Sequence, residues 1–473
     1  MRATLALFPD MPYNVIPGLC LPDCFMAQCV PKEFLTSCGA LGRRLLILLP
    51  MLFLLNRAQA DDSNEPSEND FHDNFVALSY AQNNGVTNSN DNPGNQLAKL
   101  PQTNATLELL PEFSLTTGML KFQLSPRMLE QWNQVQTSGV VSNNEGGQAY
   151  LNGWGVRFTP NDAIAMSVGR EVLLWGPAMS YSPSDPFYID NGRSNPNIEL
   201  YGKDFVKTAW FIDNAWTLNY IDNFGKGVID LSPPGLESFG FESFHRTRVL
   251  KLDHTGNEMY WSVNYAKIED LPDKIGFSMQ RTVSDAVLVY ADGGYNLHRT
   301  QYQIASNNNE GLQFAPPSGG GLSGIGILGM AYTLQAGPLF TIEYINNNQG
   351  WSNAQAHAYQ LLAQNSVNQL GTRNTGFAMQ ELARGADPGS ILLRQNYLFL
   401  QYFHQNLMTD LDLTMRLTRN LDDNGMQIVN IIEKRMGNRY NLFGQIALNT
   451  GGSSTEFGRY ISRQFLFGFR TDF

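Results

Sequence analysis

Apolar and polar residues alternate with a period of two over most of this chain. The cleanest case sets Leu411, Leu413, Met415 and Leu417 against Asp412, Thr414, Arg416 and Thr418. Trp154, Val156 and Phe158 alternate with Gly155, Arg157 and Thr159 in the same way, and Pro160-Asn161-Asp162 then marks a tight turn into 163–174. The pattern recurs over Trp216–Ile221, Met259–Ala266, Phe340–Ile345 and Tyr440–Asn449. Side chains of a strand change face at every residue, so each segment predicts a strand with one apolar and one polar face. Counting the hairpins between them, the rhythm predicts about 16 to 18 strands in an all-β, antiparallel, closed barrel. The apolar rows would face lipid and the polar rows the lumen. Two stretches break the rule: Arg394–His404 is nearly continuous in apolar residues, and 163–174 slips phase at Gly169-Arg170, where a bulge is expected.

Three interruptions stand out. Ser125-Pro126 ahead of Leu129 and Trp132 reads as a helix start, with serine as N-cap and proline in the first turn. Asn353–Leu370 has helical spacing and opens a long segment, Trp351–Gly389, rich in glycine towards its end. The third is Trp175–Phe205, too long and too proline-marked for a turn between two strands. Its charges, Asp185, Asp190, Arg193, Glu199, Lys203 and Asp204, alternate in sign. Folded into a lumen, such a loop sets a transverse field across the pore. With Arg157, Arg170, Asp412 and Arg416 on the strands, these are the candidate pore residues. The other reading of the same loop is a cap held by its own salt bridges. Tyr181, Phe187, Tyr188 and Tyr201 are candidates for stacking on sugars in a plugged barrel.

The two ends support export. Arg43-Arg44, the apolar run Leu45–Leu55 and Ala58-Gln59-Ala60 have the layout of a cleaved secretory signal ending at Ala60. The residues before Val30 fit such a signal poorly and suggest a misassigned start, with 1–29 outside the true precursor. Residues 61–100 read as an acidic, polar segment carrying a first strand, and 101–473 as the barrel. At the far end Phe465, Phe467, Phe469 and Phe473 fall on one strand face. This pattern resembles the terminal strand of Gram-negative outer-membrane barrels, and the resemblance implies recognition by the barrel-assembly machinery.

Charge and composition narrow the function. Residues 1–60 hold five Lys/Arg and three Asp/Glu, so removing them takes the net charge from −11 to −13. An acidic exported chain is not a nucleic-acid binder by default. All four cysteines lie at or before Cys38, so the expected mature chain has none, and no metal or cofactor motif follows. Six histidines are present, and none sits in a nucleophile or metal motif; Asp253-His254 is the nearest to an acid–base pair, but adjacent strand residues point to opposite faces. No enzyme is expected.

Gly169-Arg170, Trp175-Gly176-Pro177 and Ser182–Phe187 together are similar to the strand-end and loop region of porin-like outer-membrane families. The capsule-assembly Wzi family has a comparable Trp-Gly-Pro, and alginate-export barrels a looser Gly-Arg and tryptophan match. This chain has Leu174-Trp175 and Ala178 where a close capsule-assembly relative would have paired tryptophans and a glycine. The expectation is a porin-like channel in the Gram-negative outer membrane for small hydrophilic or oligosaccharide solutes, monomeric, with lipid and the assembly machinery as partners. The rival expectation is a plugged barrel that binds surface polysaccharide.

Overall fold

A computed structural model describes residues 69–193, 199–228, 244–298, 303–307, 311–315, 320–385 and 392–473. The signal-sequence, start-site and 61–68 readings lie outside these residues. The strands in chain order begin with β1 (Asn69–Val86), β2 (Pro101–Thr117), β3 (Leu120–Thr137), β4 (Val140–Asn161), β5 (Ile164–Glu171), β6 (Lys203–Phe211) and β7 (Trp216–Gly225). They continue as β8 (Thr247–Thr255), β9 (Met259–Ile268), β10 (Lys274–Ser284), β11 (Val287–His298), β12 (Gln303–Asn307), β13 (Gly311–Ala315) and β14 (Gly320–Thr333). The last are β15 (Leu339–Asn347), β16 (Asn396–Met408), β17 (Leu411–Asn420), β18 (Met426–Met436), β19 (Tyr440–Thr450) and β20 (Ile461–Asp472).

Eighteen of these form one antiparallel sheet, and β12–β13 are a separate hairpin between β11 and β14. The sheet closes because β1 pairs with both β2 and β20. Closure leaves no edge at the seam, which removes the row of unpaired backbone groups that an open sheet would expose. The barrel therefore begins at β1, within the 61–100 segment, rather than at residue 101.

The two ends of the barrel differ. At the end holding the start of β1 and the finish of β20, strands are joined by short turns, such as 118–119, 162–163, 285–286 and 409–410. The other end carries the long connections 87–100, 172–202, 226–246, 299–319 and 348–395. One two-residue turn also lies there: Ser138-Gly139 joins β3 to β4 with both residues at positive φ (49° and 84°), the hairpin turn whose twist suits its strands.

Outward side chains form the apolar belt of a transmembrane barrel: Val168, Trp210, Leu250, Phe277, Leu328, Ile342, Met415 and Phe467 are all exposed. Inward positions are polar or small, as with Ser262, Ser278, Asp292 and Glu343. At the short-turn end Trp216 and Trp261 pack around His254 on the outer face, at centroid distances of 4.6 and 5.5 Å from it. Such rings suit a bilayer interface. Asp253 faces the other way and binds Lys251, Asn219 and Tyr260, so it forms no pair with His254.

Two local expectations are corrected. Ser125–Trp132 is strand, not helix: β3 pairs on one side with β2 and on the other with β4. Two ladders of backbone hydrogen bonds outweigh a capping signal, and Pro126, which lacks an N–H, sits where the β3–β4 register shifts. No bulge occurs at Gly169-Arg170, since β5 keeps register with β6 from Ile164 to Glu171. The β4–β5 register shifts instead between Phe158 and Asn161, next to the turn.

The long 348–395 connection carries the expected helix, Asn353–Gln369, with Ser352 and Gln355 in a reciprocal capping box. A second helix, Thr375–Gly385, follows it. Leu362 and Leu382 from the two helices pack with Leu97, Trp351 and Tyr359 over the long-loop end.

Candidate functional site

The inner wall is engaged by the connection between β5 and β6, described here as 172–193 and 199–202. Its first part folds on itself. Trp175 donates from Nε1 to the Ser184 carbonyl at 3.1 Å and meets Phe187 edge-on, and Phe187 meets Phe205 at 4.9 Å. The Asp185 carboxylate accepts from the backbone N–H groups of Phe187 and Tyr188 at 2.8 and 3.1 Å, which fixes a turn. Burial lifts this carboxyl to about 7, against the pull of those two donors and of Lys274. Arg193 bonds back to the carbonyls of Ala178 and Gly176, and Asp190 accepts from Gly192 N–H.

The folded segment is tied to the wall by buried polar groups. Glu343 of β15, fully buried, accepts from the backbone N–H of Met179 (2.5 Å) and Ser180 (3.0 Å) and from the Tyr290 hydroxyl (2.7 Å). Asp292 of β11 accepts from Ser184 N–H at 2.9 Å. Asn264 of β9 donates to the Ser184 carbonyl and Lys274 of β10 to the Asp185 carbonyl, at 3.0 and 3.1 Å. Glycine is required beneath Pro183-Ser184: a Cβ on Gly294 would lie 1.7 Å from the Pro183 carbonyl oxygen, and one on Gly276 2.5 Å from that of Ser184.

Apolar contacts complete the seat. Ala178, with Met179 and Tyr181 beside it, packs on Tyr290, Ile327, Ile345, Tyr397 and Phe399 of β11, β14, β15 and β16. Phe187 and Tyr188 pack on Phe205, Ile221, Val249 and Ala266 of β6 to β9. This explains the apolar run Arg394–His404: its inner face meets the segment while its outer face joins the exposed apolar belt. The segment therefore contacts every barrel strand from β6 to β16. Its far end returns to β3 and β4, where Arg127 clamps Glu199 (2.5 and 2.7 Å) and Asn152 binds Gly202 N–H and the Leu200 carbonyl.

The candidates from sequence separate into groups. Asp185, Asp190 and Arg193 fold the segment, and Glu199 fastens it. Lys203 donates to the Phe187 carbonyl and lies over the Tyr188 ring. Arg170 pairs with Asp204 at 2.8 Å and donates to the Leu151 carbonyl, so it ties β4 to β6 where β5 ends. Phe187 and Tyr188 are buried, which covers the faces that sugar stacking needs. Tyr188 also donates to the Tyr201 carbonyl, and Tyr201 meets Tyr150 edge-on. Tyr181 is half-buried against the wall. Asp412 accepts from Asn406 N–H near the short-turn end, and Arg416 donates to Gln401 at 2.6 Å. Phe465, Phe467 and Phe469 share the outward face of β20, and Phe473 N–H bonds the Phe75 carbonyl.

Two polar cavities open along the wall at the start of the segment. One, of about 340 Å³, is lined by Asp73, Glu112, Arg127, Glu171 and Glu199 among others. The second, of about 410 Å³, holds Lys121, Arg157, Arg170, Lys207 and Lys251 against a single carboxylate, Glu171. Lys207 is paired with Glu171 and Lys251 with Asp253. Lys121 and Arg157 are direct cross-strand neighbours, and neither has an ion pair among the described residues. Like charges placed opposite each other destabilise a sheet, so this arrangement gives no structural gain. The sequence reading named Arg157 as a candidate but not its neighbour Lys121, nor the segment's anchors Asp292 and Glu343. The signal was present as charged residues at inward positions of apolar-alternating strands.

No family model matches the chain, and neither does any curated protein. Among solved structures, a triple mutant of the Rh. blastica porin aligns at 9% identity over 85% of this chain and 100% of its own, with a TM-score of 0.41. Pseudomonas aeruginosa OccK7 (OpdD) aligns at 11% identity over 85% of this chain and 99% of its own, with a TM-score of 0.47. These are likenesses of architecture only.

Proposed function

We propose that the chain forms an outer-membrane channel for passive diffusion of small hydrophilic solutes, narrowed by the β5–β6 connection. The observation that supports this most is the seat of that segment. It lies on the inner wall from β6 to β16, held by carboxylates of the wall itself, is fastened at its far end to β3 and β4, and leaves β17–β20, β1 and β2 to face it. A barrel of eighteen strands encloses an aqueous channel unless its lumen is filled. A segment on one side of that lumen constricts it and sets its field. The apolar belt and the export signal read from the sequence fit an outer-membrane location.

Selectivity follows the local charge rather than the net charge. Lys121 and Arg157 give the second cavity an unpaired positive field near the short-turn end, so small anions are favoured over cations there. Swelling of liposomes containing the full mature barrel, in mono- to tetrasaccharides, tests the channel: swelling that falls with solute size supports it, and rates equal to protein-free liposomes overturn it. Lys121→Gln with Arg157→Gln should move the reversal potential in a salt gradient towards cations. An unchanged potential places both residues outside the path.

A further inference from the structure

The outward face of β18 breaks the apolar belt at one place. Ile428, Asn430 and Ile432 point outward with Met415 of β17 and Ile446 of β19 as the register partners of Asn430. Two rows towards the long-loop end the register reaches Arg419–Met426, and two rows towards the short turns it reaches Leu411–Lys434. Both cations bond to the end turns: Arg419 to Asn424 and Lys434 to the Thr409 carbonyl. Asn430 therefore sits midway between the two charged rims, at the centre of the belt. Its carboxamide makes no hydrogen bond with any described residue. An amide facing hydrocarbon without a partner is costly, and polar groups at this depth generally face protein.

The surface around Asn430 is shaped for one kind of partner. On its β14–β17 side lies an apolar groove of about 370 Å³, lined by Tyr332, Phe340, Ile342, Tyr402 and Met415 and reaching Asn430 itself. On its other side a ridge stands out: Ile446 of β19 with Phe465 and Phe467 of β20, Phe467 being 63% exposed. A two-fold axis parallel to the barrel axis and passing beside Asn430 sets each ridge against the other copy's groove. A carboxamide both donates and accepts, so two such side chains related by that axis satisfy one another. We infer that the β14–β20 face is an isologous interface between two copies of this chain, centred on an Asn430–Asn430 amide pair. The expectation of a monomer came from the absence, on any strand, of a broad protein-facing stripe in place of lipid-facing residues. A self-complementary interface in lipid needs only one polar pair, because apolar packing supplies the rest.

The test is cross-linking in native outer membranes. Every natural cysteine lies at or before Cys38, within the expected signal region, so a thiol introduced in the mature chain is unambiguous. Asn430→Cys under mild oxidation should give a disulfide-linked pair of this chain, whereas Leu250→Cys, on the outward face of β8 across the barrel, should not. In nanodiscs the unmodified protein should have the mass of two chains and Asn430→Leu the mass of one, with unchanged heat-modifiable migration showing that the barrel stays folded. Equal cross-linking at both positions, none at 430, a link to a different protein, or a two-chain Asn430→Leu variant would each overturn the inference.

Discussion

Replacing Glu343 by alanine should release the lumen segment from the wall while leaving the barrel closed. The carboxylate is fully buried and accepts three hydrogen bonds, two of them from the consecutive backbone N–H groups of Met179 and Ser180. Hydrogen bonds to a charged group contribute about 1.5–3 kcal/mol each, so losing the two backbone donors weakens docking by about 3–6 kcal/mol. At about 1.4 kcal/mol per factor of ten, the docked-to-undocked ratio falls by more than about 100-fold. The other polar ties hold later parts of the segment: Asp292 and Asn264 at Ser184, Lys274 at Asp185, Lys203 at Phe187, and Arg127 and Asn152 at 199–202. Single-channel recording should therefore show a larger mean conductance and added open-state noise for Glu343→Ala. Glu343→Gln keeps one acceptor oxygen and should fall between. Heat-modifiable migration should be unchanged in both, because the β14–β15 and β15–β16 ladders do not depend on this side chain. A Glu343→Ala channel with normal conductance and normal noise would refute the anchoring argument.

Other consequences follow from named contacts. Gly468 lies under the Phe443 ring, and a Cβ there would fall 2.2 Å from its Cζ, so Gly468→Val should weaken barrel closure by about 1–3 kcal/mol; the unfolding temperature of Gly468→Val should drop, and adding Phe443→Ala should restore part of it. Burial raises the Asp185 carboxyl from 3.8 to about 7, so the docked segment holds a proton that the free segment lacks. Docking is then strongest below about pH 4 and weakens as pH rises to about 7. Open-state noise should increase over that range and be flat in Asp185→Asn; equal profiles for the two proteins would exclude Asp185. Deleting Phe473, whose N–H closes on Phe75, should lower the amount of inserted barrel without changing the conductance of the molecules that insert; normal insertion with poor conduction would contradict that role.

The barrel was legible in the sequence because its period is set locally. Leu411–Thr418 needs no distant information to declare two unlike faces, and β17 places those faces as the alternation requires. The terminal strand is equally plain, since its phenylalanines recur every second residue. Ser125–Trp132 misled because caps are read over four residues, whereas strand pairing is decided by neighbours elsewhere in the chain. The second helix, Thr375–Gly385, was hidden by its glycines; its Ala378 and Leu382 are buried by a partner helix, not by local spacing. The β5–β6 segment was visible as an anomaly of length and composition. Its anchors were not: Glu343, Asp292, Gly276 and Gly294 look like ordinary strand positions until the segment is laid across them. Arg170 and Asp204 were visible as charges but not as partners, because their salt bridge joins neighbouring strands 34 residues apart in the chain.

The most direct test of the account is single-channel current through the refolded 61–473 barrel in a planar bilayer. A solute channel narrowed on one side of its lumen predicts discrete, stable conductance steps that are ohmic near zero voltage. Barrels shown to be inserted, by protease protection of their strands, yet silent to ions would contradict it.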